Sequence, residues 1–130
     1  MADKEYLDEL KNKSAWKKVD YQGRVPFVEA QEIYLSSQIG MAILQYSANT
    51  GGTKGTLGNT KLFECMHAGV PVICTDFIYW KEIVEKNHCG VCVNPYDSEQ
   101  VHNAIKYLLN NPEEAMEMGK ESARIEGLLV

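Results

Sequence analysis

The sequence predicts an α/β domain: a parallel sheet covered by helices on both faces. Three observations carry that reading. Strand-like and helix-like segments alternate along the whole chain of 130 residues, the pattern of successive βα units. The stretch Val70-Pro71-Val72-Ile73-Cys74-Thr75 is apolar at consecutive positions, so both of its faces are buried, as an interior parallel strand requires. The length suits one domain with a real core, and residues 1–130 contain no repeat, low-complexity tract or interdomain linker.

The elements follow in order. Tyr6, Leu7, Leu10 and Trp16 stand near helical spacing in a charged background and predict a helix over roughly 4–17. A short strand, Lys18–Gln22, ends at Gly23-Arg24-Val25-Pro26. Glu29–Ser37 reads as a helix with Ala30, Ile33 and Tyr34 on one face, and Ile39–Gln45 as an apolar run of strand length. Ser47–Thr60 is a loop with glycines at 51, 52, 55 and 58. A helix from Thr60 to His67 follows, with Asn59 as its predicted N-cap. The strand at 70–75 has Pro71 near its start, where a missing N–H is tolerated. A short helix covers about 79–86, and Gly90–Asn94 is a strand. Asp97 or Ser98 caps a helix to Asn110 with Val101, Ala104, Ile105 and Leu108 inward. Asn111-Pro112-Glu113-Glu114 opens a last helix, with Pro at its first position and acids in its first turn. That helix is expected to fray near Gly119. Crossovers between strands are right-handed.

Composition narrows the function. The chain is 45% hydrophobic and 24% charged, with a net charge of −5. An acidic balance argues against nucleic acid, which needs a basic face to displace counterions, and against a polybasic membrane patch. No apolar run reaches the length of a membrane span. The N-terminus is charged and has no h-region, so it does not read as a secretory signal. Cys65, Cys74, Cys89 and Cys92 are too sparse for a disulfide scaffold. Reduced thiols and a cytoplasmic location are expected.

The loop and the helix behind it hold the candidate site. Ligands of parallel α/β sheets bind at the carboxyl ends of the strands, and the loop after Ile39–Gln45 lies at that edge. Its glycines allow backbone N–H groups to approach an anion. The N-terminus of the next helix favours a phosphate, and Lys61 adds a positive charge. Glu64, one turn in, suits the two hydroxyls of a ribose, because one carboxylate can accept both. By composition alone such a segment is most often only a flexible loop, with a solvated Lys61 and a surface Glu64. Neither the Walker pattern nor a dinucleotide G-x-G-x-x-G is present.

Cys89 and Cys92 have metal-ligand spacing, but Cys65 and Cys74 do not form a second pair at zinc spacing. Buried thiols and no metal are the expectation. His67 suits a helix end; His88 and His102 read as surface residues. Tyr79-Trp80 reads as packing in preference to a sugar platform. A flavodoxin-like signalling domain would need an acidic pocket at the first strand's end, where Lys18–Gln22 offers only Asp20.

The segment from Asn59 to Ile73, Asn-Thr-Lys-Leu-Phe-Glu-Cys-Met-His-Ala-Gly-Val-Pro-Val-Ile, closely resembles the donor site of family 4 (group 1) glycosyltransferases of the GT-B fold. Their pattern reads K-x-x-E-x-M-A-x-G-x-P-V-I. Tyr21–Pro26 resembles the family's G-x-V strand end. Asp76–Val84 resembles its segment ending E-I-V, Cys89–Pro95 its G-x-L-V-x-P, and Met118-Gly119 its late M-G. The resemblance covers about 18–120, and the tail 122–130 drifts from it.

The resemblance implies a Rossmann-like three-layer sandwich with a parallel sheet of about four strands, a truncated GT-B C-terminal domain. It implies transfer of a sugar from a nucleoside-diphosphate sugar, with no cofactor and no bound metal. Glu64 matches the residue that holds the ribose hydroxyls. Gly58, Asn59 and Thr60 match the pyrophosphate cradle, Lys61 the lysine near the phosphates, and Val25 the residue that meets the base. The catalytic residues remain unknown, since that role lies largely in the family's acceptor domain.

Two departures shape the expectation. Thr56 stands where many members carry a first acid, eight residues before Glu64; that acid usually serves the transferred sugar. The chain is also short for the family. It is expected to be an inactive partial donor domain that lacks its acceptor domain and two strands, and to self-associate through open sheet edges. The alternative is a non-catalytic module that binds a nucleotide or nucleotide sugar.

Overall fold

A computed structural model describes residues 4–58 and 60–129. Three strands form one parallel sheet in the order β1 (Gly40–Ala42), β2 (Val72–Thr75), β3 (Gly90–Val93). Gly40 pairs with Val72, and Cys74 pairs with both Ala42 and Cys92. Six helices accompany them: α1 (Lys4–Lys11), α2 (Phe27–Leu35), α3 (Lys61–His67), α4 (Ile78–Val84), α5 (Ser98–Asn110) and α6 (Pro112–Leu129). Single 3-10 turns occupy Ser14–Lys18 and Ala48–Thr50.

Alternation along β2 builds two cores, one on each face of the sheet. Val72 and Cys74 face α3 and α4, where they meet Leu62, Cys65, Met66, Phe77, Trp80 and Val84. Ile73 faces the other way and packs with Val93 against Ala104 and Leu108 of α5 and Met118 of α6. The sheet is thus the middle of three layers, and β2 is buried at all four positions, as its continuous apolar run requires.

Among the described residues the sheet has three strands, where about four were expected. Lys18–Gln22 forms no strand: Lys18 ends a 3-10 turn, and Val19 and Tyr21 are half exposed. A strand exists only where a ladder partner receives its N–H and C=O groups, and β1 ends the sheet on this side. Local contacts hold the segment instead, with the Trp16 and Tyr21 rings 5.6 Å apart and the Lys11 ammonium 5.9 Å from the Tyr21 ring. The first helix also stops at Lys11, short of the predicted 17. Neither α1 nor α2 has a fully buried residue.

β1 is shorter than the apolar run 39–45. Past Ala42 a side chain replaces the ladder. The buried Thr75 hydroxyl donates to the Leu44 carbonyl and accepts from the Leu44 N–H, both at 2.7 Å. The backbone of residue 44 is satisfied without a β partner.

The last helix does not fray at Gly119 but runs on to Leu129. A Cβ on Gly119 would stand 2.3 Å from the Gly69 carbonyl oxygen. This glycine marks the crossing of α6 over the α3–β2 turn. Beyond it, Ser122 is buried and donates to the Cys89 carbonyl at 3.1 Å, and Ile125 enters the α3–α4 core. The segment 122–129 is therefore an integral part of the fold.

Candidate functional site

The loop between β1 and α3 is a built structure. The Ser47 side chain accepts from the Thr50 N–H while the Thr50 hydroxyl accepts from the Ser47 N–H, a capping box around the turn 48–50. The next segment folds over the start of α4. The N–H groups of Ile78 and Tyr79 donate to the carbonyls of Thr53 and Lys54 at 3.2 and 3.0 Å, so the loop satisfies the first N–H groups of α4. Gly55, at φ +78, lies so close to Phe77 that a Cβ would meet the Phe77 Cβ at 2.6 Å. The fully buried Trp80 donates its indole N–H to the Thr56 carbonyl at 3.3 Å and meets Phe77 edge-on at 5.0 Å. Trp80 is packing, as its sequence reading expects.

The four glycine N–H groups of the loop have partners within it. Gly51 donates to Ala48, Gly52 to Ser47 and Gly55 to Gly51 through backbone carbonyls, and Gly58 donates to the Thr56 hydroxyl at 3.2 Å. The residue standing in place of an acid thus serves as an acceptor inside the loop.

Helix α3 presents one polar face. Thr60 occupies its N-cap position without a capping bond. Its hydroxyl instead donates to the Glu64 carboxylate at 3.2 Å, one turn on. The predicted cap, Asn59, lies outside the described residues. Tyr34 reaches Glu64 from α2. Burial first, then the nearby Cys65 and Glu64 charges and a hydrogen bond to Glu64, raise its phenol pKa. The Cys65 thiol behind is pushed up to about 11 by burial, with Glu64 adding to the effect and Lys61 opposing it. That thiol is an inert core group at neutral pH.

Beside this face opens a pocket of about 260 Å³. Phe27 and Gln31 of α2 form one wall, Thr60, Phe63, Glu64 and His67 of α3 the other, and Glu126 of α6 the end. His67 Nδ1 lies 3.0 Å from the Glu126 carboxylate. Apolar walls with a few converging polar groups are the ordinary make-up of a small-molecule site.

A second polar contact joins the carboxyl ends of β1 and β2. The Tyr46 hydroxyl donates to Asp76, and that bond, with burial and the carboxylate charge, pushes its pKa up to about 12. Tyr96 supports it from the end of β3, accepting from the Tyr46 N–H at 3.1 Å with the rings 5.4 Å apart.

The predicted residues are brought only partly together. Thr60 and Glu64 share the pocket. Val25 is half-buried two residues before Phe27. Gly58 and Lys61 are exposed around the start of α3 and do not line the pocket. Sequence reasoning missed Phe27, Gln31 and Glu126, which come from other elements. The sheet register places Cys92 against Cys74, sulfur to sulfur at 3.7 Å, a contact that the spacing of the cysteines does not reveal. Among the described residues no group of three or more His, Cys, Asp or Glu side chains is placed to hold a metal. No helix among them is long and apolar enough to cross a membrane.

The family of group 1 glycosyl transferases matches residues 2–124, and the chain belongs to it. Its fold is that of a GT-B glycosyltransferase domain. Sucrose-phosphate synthase from Thermosynechococcus elongatus superposes on 96% of this chain with a TM-score of 0.72 at 22% identity. The chain spans 29% of the length of that protein. Curated protein sequences include no significant match.

Proposed function

We propose that this chain is the donor-binding part of a glycosyltransferase that moves a sugar from a nucleoside-diphosphate sugar to an acceptor. The observation that carries the reading is the Thr60–Glu64 pair on the rim of the 260 Å³ pocket. A carboxylate already accepting one hydroxyl, beside apolar walls, suits the ribose of a nucleotide. On this reading the diphosphate falls to Gly58, Asn59, Thr60 and Lys61, and the base to Val25. The acceptor domain belongs to another part of the enzyme, so the isolated chain binds donor without turnover. The four free thiols fit a reducing, cytoplasmic compartment.

The open side of β1 makes self-association a further expectation. The competing reading, a binding module without chemistry, draws on Thr56, which is held inside the loop by Gly58 and offers no carboxylate to a sugar.

Backbone amide shifts on adding a nucleoside-diphosphate sugar test the proposal. Changes should cluster at 25–31 and 58–67. Shifts scattered over α5 and α6, or none at millimolar ligand, would contradict it.

A further inference from the structure

We propose that Cys92 and Cys74 form a reversible oxidation site, at which a hydroperoxide joins the two thiols as a disulfide between β3 and β2. The site is independent of the donor-site reading.

The sheet itself sets the pair. Cys74 and Cys92 are register partners on adjacent parallel strands. Their side chains therefore leave the same face of the sheet side by side, with the sulfurs 3.7 Å apart. Neighbouring strands run about 4.8 Å apart, inside the span of about 4.4–6.8 Å between the α-carbons of a disulfide. The backbone thus already stands at bridging distance, and rotation of the side chains closes the bond. The other two thiols are placed differently. Cys89 directs its thiol to the Asn87 carbonyl at 3.7 Å, and Cys65 is buried on α3. Among the described residues Cys74 and Cys92 are the one pair of thiols in hydrogen-bond contact.

The two thiols differ in reach. Cys74 is fully buried on the central strand. Its bond to Cys92, followed by burial, holds its proton well above the ordinary thiol range. Cys92 lies on the edge strand, is only half-buried, and borders a groove of about 400 Å³ between that strand and α5. Attack on an oxidant therefore falls to Cys92, and Cys74 resolves the product.

In the first step the Cys92 sulfur takes the terminal oxygen of the hydroperoxide as a sulfenic acid. The O–O bond breaks, and the other oxygen leaves with the thiol proton as water or an alcohol. In the second step the Cys74 sulfur displaces hydroxide from that sulfenic acid. The S–S bond forms, and the hydroxide departs as water with the Cys74 proton. Two thiols lose two electrons and one peroxide gains them. In a reducing compartment such bonds are transient, because other thiols exchange with them.

The test is oxidation of the reduced, folded chain with hydrogen peroxide, then alkylation of the remaining thiols in denaturant, digestion and mass spectrometry. One linked peptide pair, Cys74 with Cys92, should dominate, with Cys65 and Cys89 alkylated. Dithiothreitol should return all four free thiols. Cys74→Ala, shown to be folded by its thermal melt, should stop at a sulfenic acid on Cys92 that dimedone captures. Cys92→Ser should leave Cys74 unmodified. A dominant link between any other two cysteines, or a natural chain that stops at the sulfenic acid, would overturn the inference. So would a 74–92 link that forms only in urea, or four unchanged thiols after millimolar peroxide.

Discussion

The indole N–H of Trp80, on α4, donates to the carbonyl of Thr56 in the loop before α3. A fully buried ring thus holds the segment that leads into the candidate site, and core stability is coupled to loop position. Trp80→Phe keeps an aromatic ring but loses the bond, at a cost of about 1–2 kcal/mol. Trp80→Ala opens the core and costs about 3–5 kcal/mol. Urea unfolding should show this order, and amide exchange over 53–58 should accelerate in Trp80→Phe. Equal midpoints for both variants would contradict the coupling.

The crossing of α6 over Gly69 gives a second test. Alanine is ordinarily the better helix residue by about 1 kcal/mol. At position 119, however, its methyl would meet the Gly69 carbonyl at 2.3 Å, and overpacking of this kind costs about 1–3 kcal/mol. Gly119→Ala should therefore lower the melting temperature, while Gly127→Ala, where a Cβ meets nothing within 4 Å, should raise it or leave it unchanged. A rise in both would show that α6 does not cross where described.

Tyr46 predicts a pH dependence. Its phenol is raised from 10.0 to about 12, chiefly by the bond to Asp76. The folded pKa lies above the unfolded one, so the native state holds the proton longer. The stabilisation is fully present below pH 10 and is lost as pH rises from 10 through about 12. Absorbance at alkaline pH should show a late-titrating tyrosine that is absent in Tyr46→Phe and moves toward 10 in Asp76→Asn. A titration that Asp76→Asn leaves unchanged would assign the shift to another cause.

The legible parts of the fold are those that local chemistry determines. Asp97 caps α5 by accepting from the N–H groups of Glu99 and Gln100, and Pro112 opens α6; each signal lies within one turn of what it specifies. Lys18–Gln22 has a strand's pattern but no ladder neighbour, a fact about the rest of the sheet. Gly119 reads as a break because its reason, Gly69, is fifty residues away. The site divides in the same way. Thr60 and Glu64 follow from helical spacing in one segment. Gln31, Phe27 and Glu126 reach the pocket from other helices, and the Cys74–Cys92 contact needs the strand register.

Among the described residues no strand lies on the outer side of β1, and Met41 on that strand is 47% exposed. Sedimentation should show concentration-dependent self-association. Met41→Lys should suppress it, since charge on an edge opposes pairing. Association unchanged by that substitution would point to another surface.

Titration of Glu64→Ala with UDP and GDP bears most directly on the donor site. Loss of a charged acceptor for ribose hydroxyls removes about 1.5–3 kcal/mol, which is roughly a 10- to 150-fold weaker affinity. The account predicts that loss for both nucleotides, with the thermal melt little changed because Glu64 is only half-buried. Unchanged affinity in a folded Glu64→Ala protein would contradict it.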